Sequence, residues 1–221
     1  MDQQLFESVD QYIASLFAYE DEVLQSTLKS IEEAGMPSIS ISPNQGKFLQ
    51  LLARLCKAER ILEIGTLAGY STIWMARALP PDGRLISLEY DPLHAEVAKK
   101  NIQRAGLSNQ VEIRTGKGID LLKEMVKKGE EPFDMIFIDA DKQSYKEYLD
   151  WSLRLAHPGT LLLADNVVRE GKVLDAGSSD EMVQGAIKFN AALAASPAVD
   201  ASIFQTVGTK EHDGMAIAIV R

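Results

Sequence analysis

The sequence predicts an α/β protein whose doubly wound sheet is mostly parallel and is covered by helices on both faces. From Arg60 onward, five short apolar runs alternate with amphipathic helical patterns. This alternation is typical of βαβ units, and strands that are apolar on both sides indicate a sheet buried between two helical layers. The apolar runs lie at 60–64, 85–89, 111–114, 133–138 and 160–164, and the helical patterns lie near 71–79, 92–105, 118–128 and 143–156.

The end of the chain predicts a change of strand direction. A helical pattern near 181–195 is followed by strand-like runs near 200–207 and 214–220. The tripeptide His212-Asp213-Gly214 between these runs carries the Asp-Gly signal of a hairpin turn. We therefore expect the sheet to end in an antiparallel pair of strands.

The region before the first apolar run predicts helices. Apolar residues recur there at helical spacing in two segments, and a Ser/Pro-rich loop at 36–43 comes after them. Asn44 is the expected cap of a third helix. Because 221 residues suit one large domain better than two small ones, we expect a single domain over 1–221, with a helical cap at 1–57 and an α/β core at 58–221.

Composition and charge restrict the possible partners and location. Hydrophobic residues make up 46% and charged residues 25% of the chain, which is the ordinary globular range. The net charge of −9 argues against a nucleic-acid partner, because contacts to phosphates dominate affinity for nucleic acids. The single cysteine, Cys56, fits a reducing compartment. Since neither a signal-peptide pattern nor an apolar stretch of about 18 residues is found, we expect a cytoplasmic protein with no membrane contact.

A glycine loop follows the first predicted strand, at the edge where such sheets bind ligands. Gly65 and Gly69 allow close approach of the backbone, but their spacing is not that of a pyrophosphate-binding glycine triad. Glu89 ends the second strand, where an acid can accept hydrogen bonds from both hydroxyls of a ribose. Together with Glu63 it favours a ligand that carries an ammonium or sulfonium group. The alternative is a tight turn beside a solvated glutamate.

Acidic side chains end two later strands of the predicted sheet. Asp139 comes directly after one apolar run, and Asp165 with Asn166 comes after the next. Consecutive strands of such sheets are commonly neighbours, so we expect these side chains to meet at one edge. Three oxygen ligands suit a hard cation, Mg²⁺ by preference, with Ca²⁺ or Mn²⁺ as alternatives. The competing interpretation is capping of the next elements of the chain, and it suits Asp141 better than Asp139.

Lys142 stands three residues after Asp139. Most lysines are solvated surface charges, but a lysine held beside a metal site can take or stabilise the proton of a hydroxyl group. A cation beside a developing phenolate lowers the pKa of the phenol, as a metal ion does. Lys142 is therefore a candidate catalytic residue.

Together these features resemble the cation-dependent class I S-adenosylmethionine O-methyltransferases of the caffeoyl-coenzyme A type and their bacterial homologues, with catechol O-methyltransferase more distant. The resemblance runs from Met36-Pro37 to Asp213-Gly214 and rests on an ordered set of short motifs. These are Leu62-Glu63-Ile64-Gly65-Thr66-Leu67-Ala68-Gly69-Tyr70-Ser71, Glu89, Gly116-Lys117-Gly118, Asp139-Ala140-Asp141-Lys142 and Asp165-Asn166. Each motif is weak alone, whereas their order is specific.

The resemblance implies a role for each matching residue. It implies Asp139, Asp165 and Asn166 as metal ligands and Lys142, acting with Asp139, as the catalytic lysine. It implies an S-adenosylmethionine pocket formed by Glu63, Gly65, Ser71, Glu89, Gly118, Asp139 and the main chain around Met36. It also implies a Rossmann-like sheet of seven strands with an antiparallel last strand, and commonly a homodimer, with the N-terminal helices over the site or the dimer contact.

Two segments bear on the acceptor pocket. Catechol O-methyltransferase has a substrate-gripping glutamate near its C-terminus, and segment 204–209 offers none at the matching place. Segment 169–177 comes after the predicted metal pair and is expected to shape the acceptor pocket.

These features predict an S-adenosylmethionine-dependent O-methyltransferase that methylates one hydroxyl of a vicinal aromatic diol, such as a catechol, a caffeoyl group or a flavonoid. One alternative keeps the chemistry and makes a hydroxylated uridine of tRNA the acceptor, which the net charge opposes. A nicotinamide-dependent oxidoreductase would need the glycine triad that the loop lacks. A non-catalytic binding module would leave Lys142 and the three ligands without a role.

Overall fold

The computed structural model describes residues 2–210 and 212–221. Its helices are α1 (Gln3–Phe17), α2 (Glu22–Glu33), α3 (Pro43–Leu55), α4 (Tyr70–Ala76), α5 (Pro92–Arg104), α6 (Gly118–Lys128), α7 (Tyr145–Ser152) and α8 (Glu181–Ala195). Its strands are β1 (Arg60–Ile64), β2 (Arg84–Glu89), β3 (Val111–Thr115), β4 (Phe133–Ile138), β5 (Ala156–Ala164), β6 (Val199–Thr206) and β7 (Asp213–Val220). Two short 3-10 segments, Lys142–Ser144 and Arg169–Leu174, come after β4 and β5.

The seven strands form one sheet in the order β3-β2-β1-β4-β5-β7-β6. Strands β1 to β5 are parallel, whereas β7 runs antiparallel to both β5 and β6. The order reverses direction at β1 and β4, and the crevice at such a reversal is where doubly wound sheets bind ligands. The predicted fold class is confirmed, including the antiparallel pair at the end of the sheet.

Alternate side chains of each central strand enter two separate cores. On β1, Ile61 packs with α3, α4 and α5 on one face, while Leu62 packs with α6, α7 and α8 on the other. Both side chains are fully buried. This two-sided burial explains why the strands read as continuous apolar runs, and it holds the carboxyl ends of β1, β4 and β5 in a fixed register.

The N-terminus of α3 differs from the expected one. Ser42, not Asn44, is the cap: its Oγ accepts from the Gln45 N–H at 3.2 Å, and the Gln45 Oε1 accepts from the Ser42 N–H at 3.1 Å. This reciprocal capping box is favoured because Pro43, in the first helical position, has no N–H that needs a partner. The prediction of Asn44 as the cap was wrong. Its side chain instead donates to the Asp10 carbonyl at 2.8 Å and ties α3 to α1.

The closing hairpin is wider than the sequence predicted. Asp213 and Gly214 pair with β6 inside β7, so the connection spans 207–212, of which Glu211 lies outside the described residues. Asp213 is therefore a strand residue and not a turn residue. Its carboxylate accepts hydrogen bonds from two N–H groups of the chain just after β5.

Helix α1 presents large apolar side chains to solvent and buries none of its residues fully. Tyr12 is 65% exposed and Phe17 is 67% exposed, and on the neighbouring α3 the exposure of Leu55 reaches 79%. We name as the N-terminal apolar face the exposed side chains of Leu5, Val9, Tyr12, Leu16 and Phe17 on α1 and of Phe48, Leu51 and Leu55 on α3. A face of this kind on a folded chain commonly marks a contact with another molecule.

The longest helices, α1 and α8, have 15 residues each. A helix that crosses a bilayer needs about 20 predominantly apolar residues. Among residues 2–210 and 212–221, no helix is long and apolar enough to cross a membrane.

Candidate active site

A cavity of about 810 Å³ opens at the carboxyl ends of β1, β2 and β4. Seven of the predicted site residues line it: Gly65, Ser71, Glu89, Gly118, Asp139, Lys142 and Asn166. Of the other predicted residues, Glu63 and Asp165 are buried behind the lining and Met36 packs elsewhere. Most of the residues that the motifs selected therefore meet in one place.

Gly65 lets two strands approach each other at the floor of the cavity. Its φ is +100°, a conformation that side-chain-bearing residues rarely adopt. A Cβ atom at this position would overlap the carbonyl oxygen of Asp139. The Asp139 N–H in turn donates to the Ile64 carbonyl at 2.9 Å. The glycine loop and the predicted metal ligand are thus in direct backbone contact.

Glu89 holds the glycine loop in place. Its Oε2 accepts from the N–H groups of Thr66 at 3.1 Å and Leu67 at 2.8 Å, and its Oε1 accepts from the Asp91 N–H at 2.9 Å. Leu67 has a φ of +49°, and these bonds stabilise that unusual backbone. The residue predicted to bind a ribose therefore also shapes the loop beneath it.

Glu63 lies beneath the cavity and does not line it. Its carboxylate accepts hydrogen bonds from Ser71 at 2.5 Å, Thr72 at 2.5 Å and Ser87 at 2.6 Å. Burial raises the pKa of Glu63 to about 7, although the three hydroxyl donors act in the opposite direction. The placement indicates that Glu63 orients Ser71, which does line the cavity, in addition to any effect of its charge.

The loop that contains Met36 borders the cavity. The Met36 side chain is buried in a small apolar cluster with Ile31 and Ala68, and Ala68 belongs to the glycine loop. Ile39, Ser40 and Ile41 from the same loop line the cavity. A role for the main chain around Met36 in the donor pocket stays a prediction.

Asp139 and Asp165 lie at the ends of neighbouring strands. Strands β4 and β5 pair with Ile138 opposite Ala164, and the Asp165 N–H donates to the Ile138 carbonyl at 3.0 Å. This register brings the residues after both strands to one edge of the sheet. Burial, and then the negative charge of Asp139, raise the pKa of Asp165 to about 7. The negative charge of Asp139 thus lies close enough to disfavour the charged form of the buried Asp165 carboxylate.

These residues fit a hard divalent cation. The donors are all oxygen atoms, and a positive charge between the carboxylates would relieve the repulsion that raises the Asp165 pKa. Asn166 lines the cavity with a φ of +57°, and Gln45 Nε2 donates to Asp165 Oδ2 at 3.2 Å. In the described part of the chain no group of three His, Cys, Asp or Glu side chains is arranged for a metal. The Asn166 amide is therefore the available third ligand from this edge.

Lys142 is buried against the acidic edge. Its Nζ donates to Asp139 Oδ1 at 2.9 Å and to the Tyr145 hydroxyl at 2.7 Å. Burial acts to lower the pKa of this ammonium group, but the Asp139 carboxylate and Tyr145 outweigh burial and raise the pKa above its ordinary range. Lys142 is therefore a fixed positive charge and hydrogen-bond donor, not a solvated surface lysine.

Comparison with protein-family models matches residues 14–219 to the family described as O-methyltransferase. The chain belongs to the O-methyltransferase family. This assignment confirms the resemblance stated from the motifs.

Individual relatives agree with the family assignment. This O-methyltransferase is 66% identical to a catechol O-methyltransferase from Niastella koreensis over the whole of both chains. It superposes with a TM-score of 0.97 on an O-methyltransferase from Bacillus cereus in complex with SAH, at 47% identity and 99% coverage of both chains. An O-methyltransferase from Streptomyces achromogenes involved in tomaymycin synthesis, in complex with SAM, gives a TM-score of 0.96 at 45% identity, covering 100% of this chain and 99% of the other.

Sequence reasoning missed three side chains of this O-methyltransferase site. The Tyr145 hydroxyl supports Lys142 and lies 3.0 Å from the Asp165 carbonyl, to which it can donate. Tyr148 donates to Asp141 at 2.5 Å, and both residues line the cavity. The two tyrosines stand three residues apart on the helix just after the acidic motif, and that spacing could have shown a shared face. Gln45 contacts Asp165 although the two residues are far apart in the sequence, and no local sequence pattern predicts that contact.

Proposed function

We propose that this O-methyltransferase moves a methyl group from S-adenosylmethionine to one hydroxyl of a vicinal diol on an aromatic ring, with the help of a divalent cation. The observation that carries the proposal is the meeting of Asp139, Asp165 and Asn166 beside the cavity floored by the glycine loop. The name of the 66% identical relative, a catechol O-methyltransferase, supports a diol acceptor. The SAH and SAM complexes of the two solved relatives support the methyl donor.

Asp139, Asp165 and Asn166 would hold the cation, Mg²⁺ by preference and Ca²⁺ or Mn²⁺ as alternatives. When bound, the cation supplies a Lewis acid that lowers the pKa of the phenol and fixes both diol oxygens. Because the other ligands of this edge are buried or hydrogen-bonded, the acceptor would enter from the cavity side, past Asn166.

Lys142 would supply a positive charge and a hydrogen-bond donor beside the acceptor hydroxyl. Held at 2.9 Å from Asp139, the Lys142 ammonium group would stabilise the phenolate by its charge and by donating a hydrogen bond. The hydroxyl proton would pass to solvent water, because a lysine that is already protonated cannot accept it. Lys142 and Asp139 are therefore the proposed catalytic pair. Methyl transfer is a direct displacement, so alignment of the two reactants supplies the larger part of the gain, about 7–11 kcal/mol in well-oriented systems.

The donor would lie over the glycine loop. Gly65 and Gly118 leave room for it, Glu89 offers carboxylate oxygens toward the ribose, and Ser71, oriented by Glu63, offers a hydroxyl. The Ile39–Ile41 segment, in the same loop as Met36, would form the N-terminal wall of this pocket.

The tRNA alternative gains no support from these relatives, and the net charge of −9 opposes it.

The decisive experiment incubates the protein with S-adenosylmethionine, Mg²⁺ and separate acceptors: catechol, resorcinol and tRNA. We expect catechol alone to gain the mass of one methyl group, because the 1,3-diol resorcinol cannot chelate a cation through both oxygens. Methylation of resorcinol at the rate of catechol, or full activity in excess chelator, would remove the cation from the proposal.

We propose further that two copies pair through the N-terminal apolar face. Leu51 at 51% and Leu55 at 79% exposure would be shielded by a partner that is itself apolar at the same place. Light scattering is expected to give a molar mass twice that of the 24.3 kDa chain. For the Leu55→Lys variant we expect the mass of a single chain.

The Cys56 thiol is free and partly buried, and a thiol of this kind suits the reducing cytoplasm that we propose as the location.

A further inference from the structure

The cavity wall beside Asn166 carries a cation that forms no ion pair within residues 2–210 and 212–221. This cation is Arg169, which lies three residues after Asn166, and both line the cavity. Its Nε is enclosed by protein without a hydrogen-bond acceptor. In the described residues, no carboxylate lies within 4.0 Å of its guanidinium group. An enclosed Nε without an acceptor is expected to have an anionic ligand.

Neighbouring charges do not neutralise Arg169. The adjacent acid, Glu170, pairs with Lys172 at 2.9 Å. Asp213 Oδ1 is used by the N–H groups of Val168 at 3.0 Å and Arg169 at 2.8 Å. Within the described part of the chain, these two acids therefore already have other donors.

The backbone that carries Arg169 is fixed before any ligand arrives. Besides the two bonds to Asp213, the Val167 carbonyl accepts from Asn190 Nδ2 at 2.8 Å, and the Glu170 N–H donates to the His212 carbonyl at 3.0 Å. Arg169 and Glu170 hold φ values of +54° and +58°, which few side-chain-bearing residues adopt unless the surroundings impose them. The guanidinium group is thus presented from a preorganised loop.

We infer that Arg169 forms a subsite for a carboxylate, so that the acceptor is an aromatic vicinal diol that carries a carboxylate group. This inference rests on the proposed function and specifies its substrate class. A single planar guanidinium group matches the two oxygens of one carboxylate. The polyphosphate chain of a coenzyme A thioester would need several cations, and Lys142, the other cation at this end of the lining, is already paired with Asp139.

The test compares 3,4-dihydroxybenzoate with the neutral 3,4-dihydroxybenzamide and catechol. For Arg169→Gln we expect KM for the benzoate to rise about tenfold to a hundredfold, as for loss of a charged hydrogen-bonded pair. KM for the two neutral diols stays within about twofold. Arg169→Lys is expected to recover part of the affinity for the benzoate, because lysine keeps the positive charge but lacks the paired donors of the guanidinium group. The matched control is Lys146→Gln, which removes a cation from an exposed pair with Asp150 outside the cavity and leaves all three KM values unchanged.

The outcomes separate the two proposals. If the wild-type protein methylates the neutral diols but prefers the benzoate no more than the benzamide, the carboxylate subsite is wrong and the proposed function stands. An equal loss on all three acceptors in Arg169→Gln would give Arg169 a structural role and also overturn the subsite. If no diol is methylated, both proposals fail. Calorimetric titration of 3,4-dihydroxybenzoate with SAH and Mg²⁺ present is expected to give weaker binding to Arg169→Gln than to the wild type.

Discussion

Replacing Asp165 with asparagine is expected to lower methyl transfer about a thousandfold while the chain still folds. The variant loses half of the negative charge proposed to hold the cation, and a Lewis-acid metal contributes several kcal/mol, with each 1.36 kcal/mol worth a factor of about ten. In the presence of chelator the variant is expected to unfold at or above the wild-type temperature, because it no longer buries a carboxylate that Asp139 repels. The measurements are the methylation rate of catechol and thermal unfolding with and without Mg²⁺.

Binding of a cation to the folded state raises the unfolding temperature by mass action. The wild-type protein should therefore show a rise with Mg²⁺ that Asp165→Asn lacks, and this readout does not depend on activity. Asp150→Asn is the matched control, since it removes one charge from an exposed pair with Lys146 on α7. An Asp165→Asn variant that keeps both the Mg²⁺-dependent rise and the activity would contradict the assignment.

Gly65→Ala is expected to be both unstable and inactive. The methyl group forces a left-handed backbone to carry a side chain, which costs about 1–2 kcal/mol, and it overlaps the Asp139 carbonyl, which adds about 1–3 kcal/mol of overpacking. Displacing Asp139 by a fraction of an ångström also misplaces the proposed cation and Lys142 together. Urea unfolding and the catechol assay measure the two effects.

Gly106→Ala isolates the backbone contribution in that experiment. Gly106 has a φ of +72°, and a Cβ atom there would meet nothing within 4 Å. It should lose only the strain energy and keep its activity. If Gly65→Ala and Gly106→Ala lose the same stability and both remain active, the close approach of the glycine loop to Asp139 has no functional weight.

The acidic edge could be predicted from the sequence because each member ends a buried strand. Once the apolar run before Asp139 and the run before Asp165 are recognised as neighbours, their meeting results from the parallel register. The glycine loop and Glu89 are placed in the same way by the ends of β1 and β2. Periodicity therefore locates the strands, and each strand in turn locates the residue at its carboxyl end.

Side chains that arrive from outside the strands could not be predicted in this way. Gln45 and Arg169 lie in a capping box and an irregular loop, where no repeat defines which way a residue faces. Asn44 was misplaced as a cap because Ser42 and Asn44 are both good capping residues, and only the contacts in the folded chain distinguish them. The burial of Glu63 beneath the cavity likewise depends on three hydroxyl partners, two from α4 and one from β2.

The amide group of Gln45 makes hydrogen bonds in two different parts of the fold. The Gln45 side chain closes the capping box of α3 through its oxygen and donates to Asp165 through its nitrogen. Seating of α3 and occupancy of the acidic edge by the proposed cation are therefore expected to be linked equilibria, and such linkage is reciprocal. By whatever factor a seated α3 tightens the hold on the proposed cation, the bound cation would tighten the seating of α3.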